Sequence, residues 1–318
     1  MKYDIFKAKH QILCSNKQFN KAFTKVLGHV PTFEDVLIHD TNVAIEMNDV
    51  LGANTNAEEY FWYRTGKKLV FVNQDVISML NRAKFSGNID SKILPPDGFD
   101  TFALCFEQNT RVEVNGERIR LYPMQITVLR ESEIFDKIHK PFYDLTGHKF
   151  LRNNDLDIAI TVSYKVGQTT FRSCVDVSEV MDKITTGLEL SDDLSDIYDQ
   201  SLNDKEQLQT NLQMRIAVQL LIFNAATENK YLVDGFPEQS KFQLPNNTIR
   251  TYWKASHFNY KPNNHAIASH IRSAHFRNLR DDRYYKGQYE NLEKGSRWTL
   301  VSESFVGGNE TFTQNIED

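Results

Sequence analysis

The chain has 318 residues, of which 40% are hydrophobic and 25% are charged, and its formal net charge is −5. These values are ordinary for a folded globular protein and exclude the disordered and fibrous classes. No apolar run approaches the roughly 20 residues of a membrane span, and the N-terminus lacks the unbroken apolar region of a signal peptide. Three cysteines without a CxxC spacing indicate neither a disulfide framework nor a zinc ribbon. We therefore expect a cytoplasmic protein.

The first segment, residues 1–94, is predicted to be a helical N-terminal region. Apolar residues recur at three- and four-residue intervals from Asp4 to Leu27, and Gly28 follows where a helix C-terminus favours glycine. The aromatic stretch Glu58–Arg64 is interpreted as a core helix, because buried aromatics at helical spacing are common. A short strand followed by a helix is predicted over Val70–Phe85.

The middle segment, residues 95–233, is predicted to be rich in strands. It begins at a stiff Pro95-Pro96 turn, and Thr101–Phe106 follows as the first strand. Alternating apolar residues around Asn115-Gly116 indicate a hairpin with a two-residue turn. A second hairpin is predicted to turn at Val166–Gln168. Tight hairpins join antiparallel neighbours, so we expect an antiparallel sheet rather than a doubly wound parallel one.

A long helix is predicted from Asp204 to Asn229. Its C-terminal half is apolar nearly all round, so we expect it to lie buried against the sheet. The elements together predict an α+β fold in which helices pack on an antiparallel sheet of hairpins. Glycine, proline and asparagine residues then mark a loop-rich basic tail over residues 234–318.

The tail carries the candidate binding residues. Between Arg250 and Trp298 there are ten basic and four acidic side chains, so this stretch has a net charge of +6 and the rest of the chain −11. A basic tail on an acidic body binds phosphates or an acidic partner, or docks on the body itself. The candidates combine basic and aromatic side chains: His270, Arg272, His275, Phe276, Arg277, Arg297 and Trp298.

The tail histidines suggest two kinds of chemistry. His270 and His275 are five residues apart, which places them about 140° apart on a helix and on opposite faces of a strand. That spacing disfavours a metal site, and we expect neither a metal nor a cofactor. A metal-independent ribonuclease would use the two histidines as acid and base, with Arg272 stabilising charge on the phosphorane.

Two further hypotheses involve no catalysis. In an RNA-binding tail, Arg272 and Arg277 contact phosphates while Phe276 or Trp298 stacks on exposed bases. In a structural tail, the histidines hydrogen-bond to backbone groups and Trp298 fills a hydrophobic core. The sequence leaves these alternatives open, and a binding protein is preferred over an enzyme.

The order of motifs in the tail resembles a known family. The run His270-x-Arg272-x-Ala274-His275-Phe276 is followed by Gly287, by Arg297-Trp298 and by a final strand at Val306. This pattern is similar to the C-terminal HxRxGH-aromatic, glycine and arginine–tryptophan signature of phage and plasmid proteins related to the second anti-CRISPR family against type V-A systems, AcrVA-two. Alanine stands where glycine is usual, and phenylalanine where tryptophan is usual. If that glycine has a positive φ, the alanine is strained by about 1 kcal/mol.

The resemblance implies a non-enzymatic CRISPR-Cas inhibitor carried by mobile genetic elements. Such a protein binds the nascent N-terminal peptide of the type V-A effector nuclease and lowers its message and expression. This activity requires a peptide site and a contact with the ribosome or the mRNA. Strand edges of the middle segment are candidates for peptide addition, and the basic tail is the candidate for the ribonucleoprotein contact.

Overall fold

A large sheet lies between two layers of helices. The computed structural model describes residues 3–86, 95, 98–114, 116–149, 157–167, 169–186, 204–228, 232–235, 250–253, 270–272, 274–301 and 304–306. Helices on a mostly antiparallel sheet confirm the predicted α+β class.

The helices pack on both faces of this large sheet. They are α1 (Lys9–Ser15), α2 (Lys17–Leu27), α3 (Phe33–Glu46), α4 (Val50–Arg64), α5 (Gln74–Arg82), α6 (Glu131–Ile134), α7 (Lys140–Thr146), α8 (Val177–Thr186) and α9 (Asp204–Ala226). A π-helical turn, Phe135–His139, joins α6 to α7. Two 3-10 turns, Asp282–Tyr284 and Gly287–Tyr289, lie in the tail.

The strands form one large sheet and three small ones. They are β1 (Tyr3–Asp4), β2 (Leu69–Val72), β3 (Lys84–Ser86), β4 (Thr101–Glu107), β5 (Arg111–Val114), β6 (Glu117–Arg120), β7 (Met124–Arg130), β8 (Ile158–Val166), β9 (Thr169–Asp176), β10 (Leu232–Asp234), β11 (Arg250–Trp253), β12 (His270–Arg272), β13 (His275–Leu279), β14 (Arg297–Val301) and β15 (Ser304–Val306). The large sheet has the order β10-β11-β2-β4-β7-β8-β9, and β1 pairs with the end of β4. The small sheets are β5-β6, β12-β15 and β14-β13-β3.

The first helix of the sequence prediction is divided in two. The Asn16 side chain accepts hydrogen bonds from the backbone N–H groups of Gln18 and Phe19, at 3.0 and 3.1 Å, so it caps a new helix, α2. Asparagine competes for backbone hydrogen bonds in this way, which the apolar spacing alone did not reveal. Gly28 ends α2 with a φ of 76°, as predicted.

Both predicted hairpins are confirmed. β5 pairs with β6 and β8 with β9, each in antiparallel register. The sheet also contains parallel pairs that the sequence did not indicate: β2 with β4, and β11 with β2. β2 and β4 are separated by α5 and β3, and a connection of that length allows the chain to return and run parallel.

Strand alternation divides the interior into two cores. Along β4, Phe102 and Leu104 point into a core shared with α5, α8 and α9, whereas Ala103 and Cys105 point into a core shared with α3 and α4. Because both faces are covered, six consecutive residues of β4 are buried. Burial raises the pKa of the Cys105 thiol to about 12, so this cysteine is an inert core residue.

Helix α9 is buried on nearly every side. Almost all of its residues from Thr210 to Asn224 are buried, as the apolar composition predicted. One side contacts β8 and β9 of the large sheet, and another contacts β13 and β14 of the tail. The tail sheet therefore completes the enclosure of α9.

Strand pairing crosses both predicted segment boundaries. β2 of the first segment pairs with β4 of the middle segment, and β11 of the tail pairs with β2. β13 of the tail pairs with β3 of the first segment. The segments 1–94, 95–233 and 234–318 are thus interleaved in space. Within the described ranges, no helix is both long enough and apolar enough to cross a membrane.

We predict that Phe276→Ala lowers the free energy of unfolding by about 3–5 kcal/mol, because it removes a fully buried aromatic ring from the core around α9. Arg277→Ala, at the neighbouring exposed position, is the control. It should alter the free energy of unfolding by no more than about 0.5 kcal/mol. Urea denaturation followed by circular dichroism measures both. Equal stability of the two variants would show that the tail does not belong to the core.

Candidate binding site in the C-terminal tail

The structure distributes the predicted tail residues over two sheets. His275, Phe276 and Arg277 lie on β13, and Arg297 and Trp298 lie on its antiparallel partner β14. His270 and Arg272 lie on β12, which pairs with β15 in a separate sheet. The side chains of His270 and Arg272 are outside the described residues, so binding by them stays a prediction.

The two aromatic candidates are core residues. Phe276 is completely buried, and Trp298 is 3% exposed. The Phe276 ring stacks on Phe85 at a centroid distance of 4.9 Å and meets Phe223 of α9 edge-on at 6.2 Å. Their burial leaves neither ring accessible to an RNA base in this structure. Their observed role is the structural one that the sequence left open.

Arg297 holds the loop between β13 and β14 in place through contacts with two of its tyrosines. Its guanidinium donates a hydrogen bond to the carbonyl of Tyr284 and lies 3.4 Å from the centroid of the Tyr289 ring. It also lies 3.8 Å from the Glu228 carboxylate, to which the Tyr289 hydroxyl donates a hydrogen bond at 2.8 Å.

A second side chain, Tyr285, also holds this loop. Its hydroxyl oxygen accepts hydrogen bonds from the backbone N–H groups of Gly295 and Arg297. The loop is therefore fixed by its own side chains.

Backbone conformation and burial explain why small residues occupy positions 274 and 287 of the tail pattern. Gly287 has a φ of 60°, in the left-handed region that favours glycine. The backbone of Ala274 does not have a positive φ, so the strain considered for alanine at this position does not arise. Ala274 is 6% exposed, and its carbonyl accepts a hydrogen bond from the Lys84 backbone N–H at 3.1 Å.

His275 and Arg277 point away from the core. Strand alternation sends Phe276 inward and its two neighbours outward. Lys84 of β3 lies directly opposite His275 in parallel register, and its side chain is also exposed. We call Lys84, His275 and Arg277 the basic face. The sequence prediction missed Lys84, because it lies about 190 positions from the tail and pairs with it only through the fold.

The ribonuclease alternative gains no geometric support. His270 and His275 belong to strands of two different sheets. Among the described residues, no group of three or more histidine, cysteine, aspartate or glutamate side chains is arranged to hold a metal ion. The chemistry that this part of the tail offers is contact through outward cationic side chains.

A buried charged cluster lies far from the tail, beneath α1. We call it the Glu59 cluster, and it comprises Lys9, His10, Asp40, Glu59 and Lys165. The N-cap residue of α1 is Ala8, whose side chain has no group that could cap a helix. Instead, the carboxylate of Glu59 on α4 accepts from the backbone N–H groups of Lys9 at 2.7 Å and His10 at 3.5 Å. A side chain 50 positions away in sequence therefore caps α1.

His10 joins the two carboxylates of this cluster. Its Nδ1 lies 2.5 Å from Glu59, and its Nε2 lies 3.6 Å from Asp40. Burial alone would lower the pKa of His10, but the nearby Asp40 and Glu59 carboxylates outweigh it and raise that pKa above its ordinary value of 6.5. Burial would likewise raise the pKa of Glu59, but His10 holds it below 4.5. The two shifts have the directions expected of an ion pair between His10 and Glu59.

A second buried ion pair fixes α4 to the sheet. Arg172 of β9 donates two hydrogen bonds to the Glu58 carboxylate, at 3.2 and 2.7 Å. Gln125 of β7 donates to the Glu58 carbonyl at 2.8 Å. Glu58 and Glu59 therefore bind different partners from adjacent positions of one helix. Since these charged groups bind each other, we assign them to holding the helical layer in place.

The chain was compared with protein-family models, with curated protein sequences and with solved structures, and none of them matches it.

We predict that Glu59→Gln destabilises the protein by about 3–5 kcal/mol, because it removes the buried carboxylate that both His10 and Lys165 contact. Amide hydrogen exchange in α1 should accelerate more than exchange in α9. Glu46→Gln at the exposed end of α3 is the matched control and should have little effect. Exchange in α1 that is unchanged even by Glu59→Ala, which removes the hydrogen-bond acceptor as well as the charge, would contradict the capping role.

Stability should also depend on pH through His10. Because the folded pKa of His10 is raised, its contribution is complete below about 6.5 and is lost as pH rises through the folded value. Glu59 has a lowered folded pKa, so its contribution is lost as pH falls below 4.5. We predict that unfolding free energy declines as pH rises above 6.5 and that His10→Gln flattens this decline. The change His148→Gln, at a half-buried histidine outside this cluster, should leave the slope intact.

Proposed function

We propose that the chain is a mobile-element anti-CRISPR protein similar to the AcrVA-two family. It binds the nascent N-terminal peptide of the type V-A effector nuclease and lowers the message and expression of that nuclease. It acts by binding and not by catalysing a reaction. Its partners are the nascent peptide and the translating ribosome or mRNA, and it needs no cofactor.

The observation that carries this proposal is the way in which the tail positions of the resemblance come together. β13 bears the His275-Phe276 part of the run, and β14 bears Arg297-Trp298 directly beside it. Gly287 lies in the loop that Arg297 braces. The remaining positions pair in a second small sheet, where His270 of β12 lies opposite Val306 of β15. Positions distant in the sequence thus pair within two small sheets, as expected if they make up the signature of a structural family. This supports the resemblance at the level of fold.

The peptide side of the proposal uses an open strand edge. β9 is the last strand of the large sheet, and among the described strands it pairs with β8 alone. An extended peptide adds to such an edge through backbone hydrogen bonds, while alternate side chains provide selectivity. β9 is eight residues long, enough for a short N-terminal peptide to pair along it.

A reporter experiment tests recognition of the peptide during translation. A fluorescent reporter is fused to the first codons of the type V-A nuclease and expressed with or without the chain. We predict that the chain lowers both reporter protein and reporter mRNA. A synonymously recoded leader, which keeps the peptide and changes the RNA, should respond equally. A frameshifted leader, which nearly keeps the RNA and changes the peptide, should not respond.

The same experiment separates the alternatives. A response that follows the RNA sequence would replace peptide recognition by RNA recognition, and the absence of any response would overturn the proposal. Purified chain is also incubated with structured RNA, with and without a chelator, and no turnover is expected. Cleavage that is lost in His275→Ala would instead favour the metal-independent ribonuclease.

A further inference from the structure

We propose that the basic face, formed by Lys84, His275 and Arg277, is a binding surface for the phosphate backbone of RNA. This inference rests on the proposed function, because it names the surface through which the chain contacts the message or ribosomal RNA. It places the contact on the outward side of the sheet β14-β13-β3.

The alternation of this sheet fixes which residues face the solvent. Phe85, Phe276 and Leu300 lie side by side across the three strands and contribute to the core around α9. Their neighbours in sequence must therefore lie on the opposite side of the sheet. Lys84, His275 and Arg277 are such neighbours, and Lys84 and Arg277 are exposed while His275 is half-buried.

The charge of this surface has a single sign. β3, β13 and β14 contain no aspartate or glutamate. Within the described part of the chain, the side chains of Lys84, His275 and Arg277 have no hydrogen-bond or ion-pair partner. Lys137, by contrast, is neutralised by Asp100 and Glu133. Unpaired cations on an acidic chain are available for an anionic partner.

The spacing suits a chain of phosphates. Neighbouring strands lie about 4.8 Å apart, so Lys84 and His275 are adjacent across the strands. Arg277 lies two residues further along β13, a rise of about 7 Å. Such a row of donors can contact successive phosphates, and arginine and lysine are the usual phosphate ligands in proteins that bind nucleic acids.

The loop beyond Arg277 supplies an aromatic ring for a base. Tyr284 is half-buried and Arg283 is exposed, and the Arg283 guanidinium lies 4.7 Å from the centroid of the Tyr284 ring. Arg297 holds the carbonyl of Tyr284 beside β14. Bases of single-stranded RNA stack on tyrosine in a sequence-tolerant manner. This ring favours RNA over an acidic peptide as the occupant. An acidic peptide would bind to the basic side chains alone and would have no use for an aromatic ring.

The test measures the anisotropy of a short fluorescein-labelled polyuridine RNA with the full chain over a range of salt concentrations. The double variant Lys84→Ala plus Arg277→Ala should bind several-fold more weakly. The slope of log affinity against log salt concentration should decrease by about 1.4, since each lost contact with a single strand removes about 0.7. Circular dichroism confirms that the variant is folded.

The matched control removes the same charge elsewhere. Lys21→Ala plus Lys25→Ala, on the exposed side of α2, should leave both affinity and slope unchanged. Equal losses in the two double variants, or a loss in neither, would overturn the proposal. If polyglutamate displaces the RNA from the wild-type chain as effectively as unlabelled polyuridine, the surface is a site for acidic protein segments and the RNA assignment is wrong.

Peptide binding is measured in parallel with a labelled N-terminal peptide of the effector, so that two failures can be distinguished. If the peptide binds and RNA binding is independent of the basic face, this inference fails and the proposed function stands. If RNA binding depends on the basic face and the peptide does not bind, the proposed function fails and the surface assignment stands.

Discussion

The rest of the structure depends on the need to cover α9. This helix is apolar nearly all round, and an exposed flank would leave large hydrophobic side chains in water. The large sheet covers one flank, and β13 and β14 cover another. The tail must therefore turn Phe276 and Trp298 inward, and strand alternation then turns His275 and Arg277 outward. One packing requirement thus divides the tail residues between the core and the outward side of the sheet.

A second constraint acts on the opposite face of the large sheet. There the interior includes ionised groups, because Glu59 must cap a helix whose own N-cap residue cannot, and Glu58 must neutralise Arg172. Removing charges from water is costly, so such groups persist only where partners surround them. His10 supplies one of these partners, and the carboxylates beside it raise its pKa. The helical layer is held in place by specific pairing in addition to apolar burial.

The sequence predicted the elements whose cause is local. The hairpin at Gly116 has a turn signal, α5 is capped by Asn73 at its N-terminus, and α9 has an apolar composition over its length. The parallel pairing of β2 with β4 and of β13 with β3 has no such local signal. Register between distant strands is decided by the packing of both, which one segment cannot reveal.

In the candidate site, too, the sequence predicted only the residues that have a local signal. His275 and Arg277 were found from composition, but Lys84 beside them depends on the β3–β13 pairing. Phe276 and Trp298 were candidates for stacking because aromatic side chains serve both cores and RNA surfaces. Only burial distinguishes those roles, and both rings are buried. The Glu59 cluster escaped prediction because its members come from α1, α3, α4 and β8, and no spacing in the sequence connects them.

The central claim is that the tail sheet belongs to the hydrophobic core through its packing on α9. A double-mutant cycle between Phe223 on α9 and Phe276 on β13 tests it most directly, with unfolding free energies from urea denaturation. The rings are in edge-to-face contact, so the effects of Phe223→Ala and Phe276→Ala should not add, and the coupling should be about 0.5–1.5 kcal/mol. Strictly additive losses would mean that the two residues do not pack together, and the account of the tail would be wrong.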